Sequence, residues 1–164
     1  MRIIGIDPGI AIVGYGIIDV NGNKTKVIDY GVIETSSSLD LPSRLEEIFK
    51  LITKLLEMYN PDELAIEELF FSKNVKTAIT VGHARGVEVL ACKLYGLDVY
   101  EYTPLQIKEA ITGYGRADKL QIQEMVKRLL NLEKIPKPDD AADALAVALT
   151  HGNASLFKEI YKMR

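Results

Sequence analysis

Tryptophan is absent from this chain, cysteine occurs once and histidine only twice. The lone Cys92 cannot close an intramolecular disulfide, and it falls in the apolar helical stretch Val87–Leu94, so it reads as a buried reduced thiol. So few thiols and imidazoles leave no Cys/His cluster of the kind that holds zinc. Long apolar runs are missing too. None approaches the roughly 20 residues needed to cross a bilayer, and the amino terminus shows no basic region leading into a long apolar segment and a cleavage site. The expectation is a cytoplasmic protein with no membrane role. An excess of positive charge is also lacking: 20 Lys and Arg against 23 Asp and Glu give a net −3. That balance argues at first against nucleic acid, whose binding rests on cationic contacts to phosphate. No repeat, low-complexity tract or linker interrupts the sequence.

What is present is 164 residues with 48% hydrophobic content, enough for one substantial core and too little for two ordinary domains. We expect one domain over 1–164. Ile3-Ile4-Gly5-Ile6 reads as a short buried strand. The apolar runs Val13–Val20 and Lys26–Ile33 flank Asn21-Gly22-Asn23, a hairpin signal, so the first three strands form an antiparallel meander. Asp40 or Ser43 can cap a helix with Pro42 in its first turn, its apolar residues running from Leu45 to Tyr59 and Asn60-Pro61 ending it. This crossover delivers Leu64-Ala65-Ile66 as a parallel fourth strand. A helix over Val75–Leu94 follows, with small Ala78, Gly82 and Gly86 four apart, able to pack closely on the sheet or on a second subunit. Leu97–Glu101 reads as a fifth strand. Helices over Pro104–Ile111 and Lys119–Leu130 come next, and Pro136 and Pro138 break the chain before a last, acidic helix.

Four acids stand at telling places on this scaffold. Asp7 ends the first strand and Glu67 the fourth; parallel neighbours would bring both carboxylates to one sheet edge, where ligands collect in open α/β folds. Asp140 and Asp143, three apart, share a face of the last helix, and Ala144, Val147 and Ala148 make its flank small and apolar enough to press on a sheet. Carboxylates crowded together repel unless protons or cations neutralise them. Oxygen-only ligands favour Mg²⁺ or Mn²⁺. Neutralising the four acids would also turn the net −3 into +1, so nucleic acid becomes admissible through a local, metal-assisted contact.

In this order and at this length, several segments together resemble one family. They are Gly5-Ile6-Asp7-Pro8-Gly9 with Gly14-Tyr15-Gly16, Leu41-Pro42-Ser43-Arg44-Leu45, Ala65-Ile66-Glu67, Ala84-Arg85-Gly86-Val87 and Asp140-Ala141-Ala142-Asp143-Ala144-Leu145-Ala146. The family is the RuvC-type Holliday junction resolvases, crossover junction endodeoxyribonucleases with the ribonuclease-H-like fold. The resemblance implies an α/β protein with a five-stranded mixed sheet flanked by helices, strands one to three antiparallel and strands four and five parallel. It implies a homodimer that nicks two opposed strands of a four-way DNA junction symmetrically, leaving 5′-phosphate and 3′-hydroxyl ends, in recombination and repair. Two Mg²⁺ or Mn²⁺ ions per site are implied, with the branch-migration proteins RuvA and RuvB as partners. Position by position, Asp7, Glu67, Asp140 and Asp143 match the metal-binding acids, Lys108 and Lys119 the basic positions near the cleaved backbone, and Phe70 the aromatic residue that enters the junction. Asp139 precedes Asp140, and either could pair with Asp143 by helical spacing; Asp140 fits the motif.

Taken singly, these residues have plainer roles. Asp7-Pro8-Gly9 could be a turn, Asp139 and Asp140 a helix cap, Phe70 and Phe71 core, and Glu68 a structural residue on the other face of its strand. Lys73, Lys76 and Arg85 read equally as a solvated face or a DNA track. His151 lies eleven residues beyond Asp140, roughly 16 Å along a helix, and so outside any shared cage. Lys158, Lys162 and Arg164 give the tail only a modest basic character. Two other functions fit parts of the pattern: the strand end followed by Pro-Gly also resembles the phosphate loop of actin-like ATPases, which need two domains, and a non-catalytic junction binder would have shed some of the acids.

Overall fold

The computed structural model describes residues 1–69, 75–154 and 157–164. The expectations for Phe70, Phe71 and Lys73 fall on residues outside these. Among the described residues five strands form one sheet in the order β3-β2-β1-β4-β5. β1 (Arg2–Asp7), β2 (Ile12–Asn21) and β3 (Lys24–Glu34) are the antiparallel meander. Gly22 and Asn23 form the tight loop between β2 and β3, since Asn21 pairs directly with Lys24. α1 (Leu41–Tyr59) starts where the Asp40 side chain accepts the Ser43 N–H and stops at Asn60, which takes the left-handed conformation. Its buried stripe of Ile48, Ile52 and Leu56 carries it across the sheet to β4 (Glu63–Glu67), parallel to β1. α2 (Val75–Tyr95) then crosses to β5 (Asp98–Tyr102), parallel to β4.

The sheet separates two cores. Strand alternation sends Ile4, Ile6, Leu64, Ile66 and Val99 to the face covered by α1 and α2, with Ala84, Ala91 and Cys92. Ile3, Ala65, Tyr100 and Tyr102 point the other way, towards α3 (Pro104–Thr112), α4 (Lys119–Leu129) and α5 (Asp139–Asn153). α5 lies closest. An ideal Cβ on Gly5 of β1 would stand 2.2 Å from the Ala144 carbonyl oxygen, so the absent side chain is what lets the helix rest on the strand.

At the far end of α5 the structure adds a knot that the sequence did not announce. His151 is wholly buried, with Nε2 2.7 Å from Glu63 and Nδ1 2.6 Å from the Tyr102 hydroxyl. Lys158, in a short 3₁₀ turn over Lys158–Tyr161, also pairs with Glu63, and Lys162 donates to Asp98. The tail's two lysines are thereby engaged within the molecule.

Candidate active site

β1 and β4 run side by side with Ile6 opposite Ile66, so the next residues, Asp7 and Glu67, leave the sheet together at the same edge and towards the α5 face. On the other side of β1, Asp7 pairs with Gly14 of β2. Gly14 lies directly under the start of α5: a Cβ there would be 2.1 Å from the Asp140 carbonyl oxygen. One strand end, one neighbouring glycine and one helix start thus bring Asp140 and Asp143 over Asp7.

Neither Asp139 nor Asp140 caps α5. The helix begins after Pro138 without a side-chain cap, and both aspartates lie inside its first turn, where the partial positive charge of the amino terminus favours them. They face different company. Asp139 is drawn to Lys137 at 2.6 Å and Lys119 at 3.5 Å; both charges are felt by Asp143, but of the two it is Asp140 whose charge is also felt by Asp7. Lys119 is fixed at the first position of α4 by the Asp118–Gln121 capping box, and its Nζ lies 3.0 Å from Asp143 Oδ2. Lys108 of α3 also reaches the electrostatic neighbourhood of Glu67. Glu67, Lys108, Lys119 and Asp143 line a common cleft of about 240 Å³.

Crowding shows in the acidities. Burial, then repulsion from Glu67, Asp143 and Asp140, pushes the Asp7 carboxyl up to about 8 against the pull of Lys119. Burial followed by the charge of Asp143 raises Glu67, although a hydrogen bond with Asp7 works the other way. Burial also raises Asp143 against its hydrogen bond to Lys119. Burial by itself would lower the Lys119 ammonium; the pairing with Asp143 and Asp139 holds it above the ordinary lysine range. Among the described residues no three ligating side chains are gathered tightly enough to form a coordination shell as they stand. The four acids nonetheless share one electrostatic neighbourhood, and their hard, oxygen-only donors and mutual repulsion suit a divalent cation of the Mg²⁺ or Mn²⁺ type.

Two polar residues of α2 near this edge have partners that the sequence did not reveal. Glu88, inside α2, is fully buried behind the sheet, and burial pushes its carboxyl up to about 8 despite the hydrogen bond from the Gly9 N–H. Arg85 is not part of a solvated face. It is mostly buried, with Nη2 2.8 Å from Glu101 Oε2 and Nε 3.2 Å from the Glu67 carbonyl oxygen. A charged residue in a helix interior carries no sequence mark of a long-range partner, so neither could be told from a solvated side chain.

Comparison with known proteins supplies the context for this geometry. The chain matches the family described as crossover junction endodeoxyribonuclease RuvC over residues 3–151. The protein of that name from Caldicellulosiruptor saccharolyticus is 64% identical over 152 residues, 92% of each chain. Its counterpart from Alkaliphilus oremlandii is 57% identical over 164 residues, the whole of both chains. The structure of Thermus thermophilus RuvC in complex with Holliday junction substrate superposes with a TM-score of 0.90 at 32% identity, covering 99% of this chain and all of that one.

Proposed function

Because the chain belongs to the RuvC family of crossover junction endodeoxyribonucleases, we propose that it resolves four-way DNA junctions by metal-dependent nicking of two opposed strands. The observation that carries this reading is the meeting of Asp7, Glu67, Asp140 and Asp143 at one sheet edge beside Lys119. These four acids would hold two Mg²⁺ or Mn²⁺ ions, which when bound supply an activated water and a polarised phosphate and leave 5′-phosphate and 3′-hydroxyl ends. The protein's own groups do the rest. Lys119 lines the cleft together with Glu67 and Asp143, where an ammonium can hold a phosphate oxygen as negative charge builds on it. Lys108, which lines the same cleft, offers a second cation to the strand's backbone.

Symmetric nicking asks for two copies, and α2 offers the surface. Ile79, Leu90 and Leu94 are 57%, 52% and 69% exposed along one stripe of the helix, too apolar to be left to water without a reason. Between them a Cβ on Gly82 or Gly86 would meet nothing within 4 Å, so a second helix can come close there. Leu90→Asp is expected to turn a dimer into a folded monomer at micromolar concentration, read by sedimentation equilibrium. A dimer that survives the substitution assigns the interface elsewhere. RuvA and RuvB are the partners this reading brings with it, and the cytoplasm its place; no described helix is long and apolar enough to cross a membrane.

The test is cleavage of synthetic immobile junctions of varied crossover sequence, offered beside linear duplex and an RNA–DNA hybrid, with Mg²⁺, Mn²⁺ or EDTA. Paired metal-dependent nicks in the junction alone support the proposal. Binding without cutting in any metal favours a scaffold, and cutting of the hybrid instead overturns the substrate. In the same assay Lys119→Met should lower the nicking rate on the order of 10²-fold while Mn²⁺ affinity stays level or tightens, since Asp143 loses its competing ammonium. Weaker Mn²⁺ binding would make Lys119 an organiser of the acids and remove it from the chemistry.

A further inference from the structure

The carboxylates of Asp7 and Glu67 stand on the α5 face of the sheet, but two side chains that touch the backbone beside them come from the opposite face. Both belong to α2 and lie three residues apart, on the helix side that packs on the sheet. Arg85 donates from Nε to the carbonyl oxygen of Glu67 itself, and its other arm is anchored 2.8 Å from Glu101 on β5. Glu88 Oε1 accepts the N–H of Gly9, two residues beyond Asp7, at 3.4 Å, while its Oε2 is buried without a hydrogen-bond partner among the described residues. Glu88 is 0% exposed and lies on the same helix flank as the core residues Ala84, Ala91 and Cys92. A buried carboxyl of this kind is costly, and an aliphatic side chain would fill the space more cheaply. What leucine could not do there is hold the Gly9 main chain.

We propose that Arg85 and Glu88 are positioning residues that clamp the ends of β4 and β1 from behind the sheet, and so set the spacing between Glu67 and Asp7. The inference rests on the reading of the acids as metal ligands. Groups that orient ligands without touching the metal typically account for 10- to 100-fold in metal affinity or activity.

Glu88→Leu is expected to weaken Mn²⁺ binding to the DNA-free protein about 10-fold, followed by the paramagnetic resonance of free Mn²⁺. It should lower kcat to a similar degree and leave KM for the junction unchanged. Glu88→Gln keeps an acceptor for Gly9 and should restore both. Arg85→Lys, which keeps the charge but cannot span Glu67 and Glu101 together, should resemble Glu88→Leu and serves in its place if the leucine variant does not fold. Native Mn²⁺ affinity in Glu88→Leu and Arg85→Lys, or a glutamine variant as weak as the leucine one, overturns the clamp. Failure of the native protein to bind Mn²⁺ at all would instead strike the reading of the acids.

Discussion

Asp7→Asn is expected to reduce junction nicking on the order of 10³-fold or more, the scale of losing several kcal/mol of metal-assisted stabilisation, and also to make the metal-free protein more stable above pH 7. Both effects have one source. Asp7 is pushed up to about 8 by burial and by its acidic neighbours, from an ordinary value of 3.8. Between these values the native state holds a proton that the unfolded chain has lost. Stability contributed by that proton is therefore complete below about pH 4, declines as pH rises through the native pKa, and levels off above it. Glu67 and Asp143 shift in the same direction, and Glu88 adds a slope that the Asp7 substitution leaves in place. His151 runs the other way: burial lowers its pKa, so its contribution grows as pH rises towards 6.5 and is flat beyond. The comparison belongs between pH 7 and 9 in EDTA. There the Tm of the native protein should fall with pH more steeply than that of Asp7→Asn, and divalent cation should remove most of the difference. Equal slopes would mean that Asp7 ionises like a surface carboxylate, and undiminished nicking would remove it from the site.

Gly14→Ala should also be damaging, although it touches no charge. A methyl group 2.1 Å from the Asp140 carbonyl oxygen and 3.2 Å from the Asp140 Cβ cannot be accommodated by rotating a side chain, so β2 or the start of α5 has to move. Overpacking of this sort costs about 1–3 kcal/mol, a fall of several degrees in Tm for a chain of this size. The effect on rate should be larger than that stability loss suggests. Displacement of catalytic groups by about 1 Å can lower rate about 10²-fold, and here Asp140 and Asp143 would move together relative to Asp7. Nicking is compared at a temperature where circular dichroism shows both proteins fully folded. A destabilised variant that cuts at the native rate would show that α5 can shift without carrying its acids out of place.

These effects also mark what could be read from the chain. Asp7 and Glu67 were legible as strand ends because apolar runs stop at them, and Asn21-Gly22 announced the hairpin by turn chemistry alone. Asp140 and Asp143 were legible as one helix face by their spacing. That α5 could press closely on a sheet was foreseen from its small residues, while its seat on β1 and β2 and the part played by Gly14 needed the register. Arg85, Glu88 and the His151–Glu63–Lys158 knot were not legible. Each depends on a partner 16 to 95 residues away, and such pairing leaves no period in the sequence. The modest basic tail illustrates the same point, because charge counted along a chain does not reveal which lysines are already spoken for.

The order of the acids along the chain has a consequence in time. Asp7 and Glu67 leave the ribosome early, but Asp140 and Asp143 arrive on α5, which must then travel back to cover β1 and β2. Contacts this distant in sequence form late. During synthesis the cell therefore holds a growing polypeptide with half its acid cluster and nothing to complete it, and, on the reading of the acids proposed above, a product cut short before α5 is expected to be an inert fragment and not an unregulated nuclease.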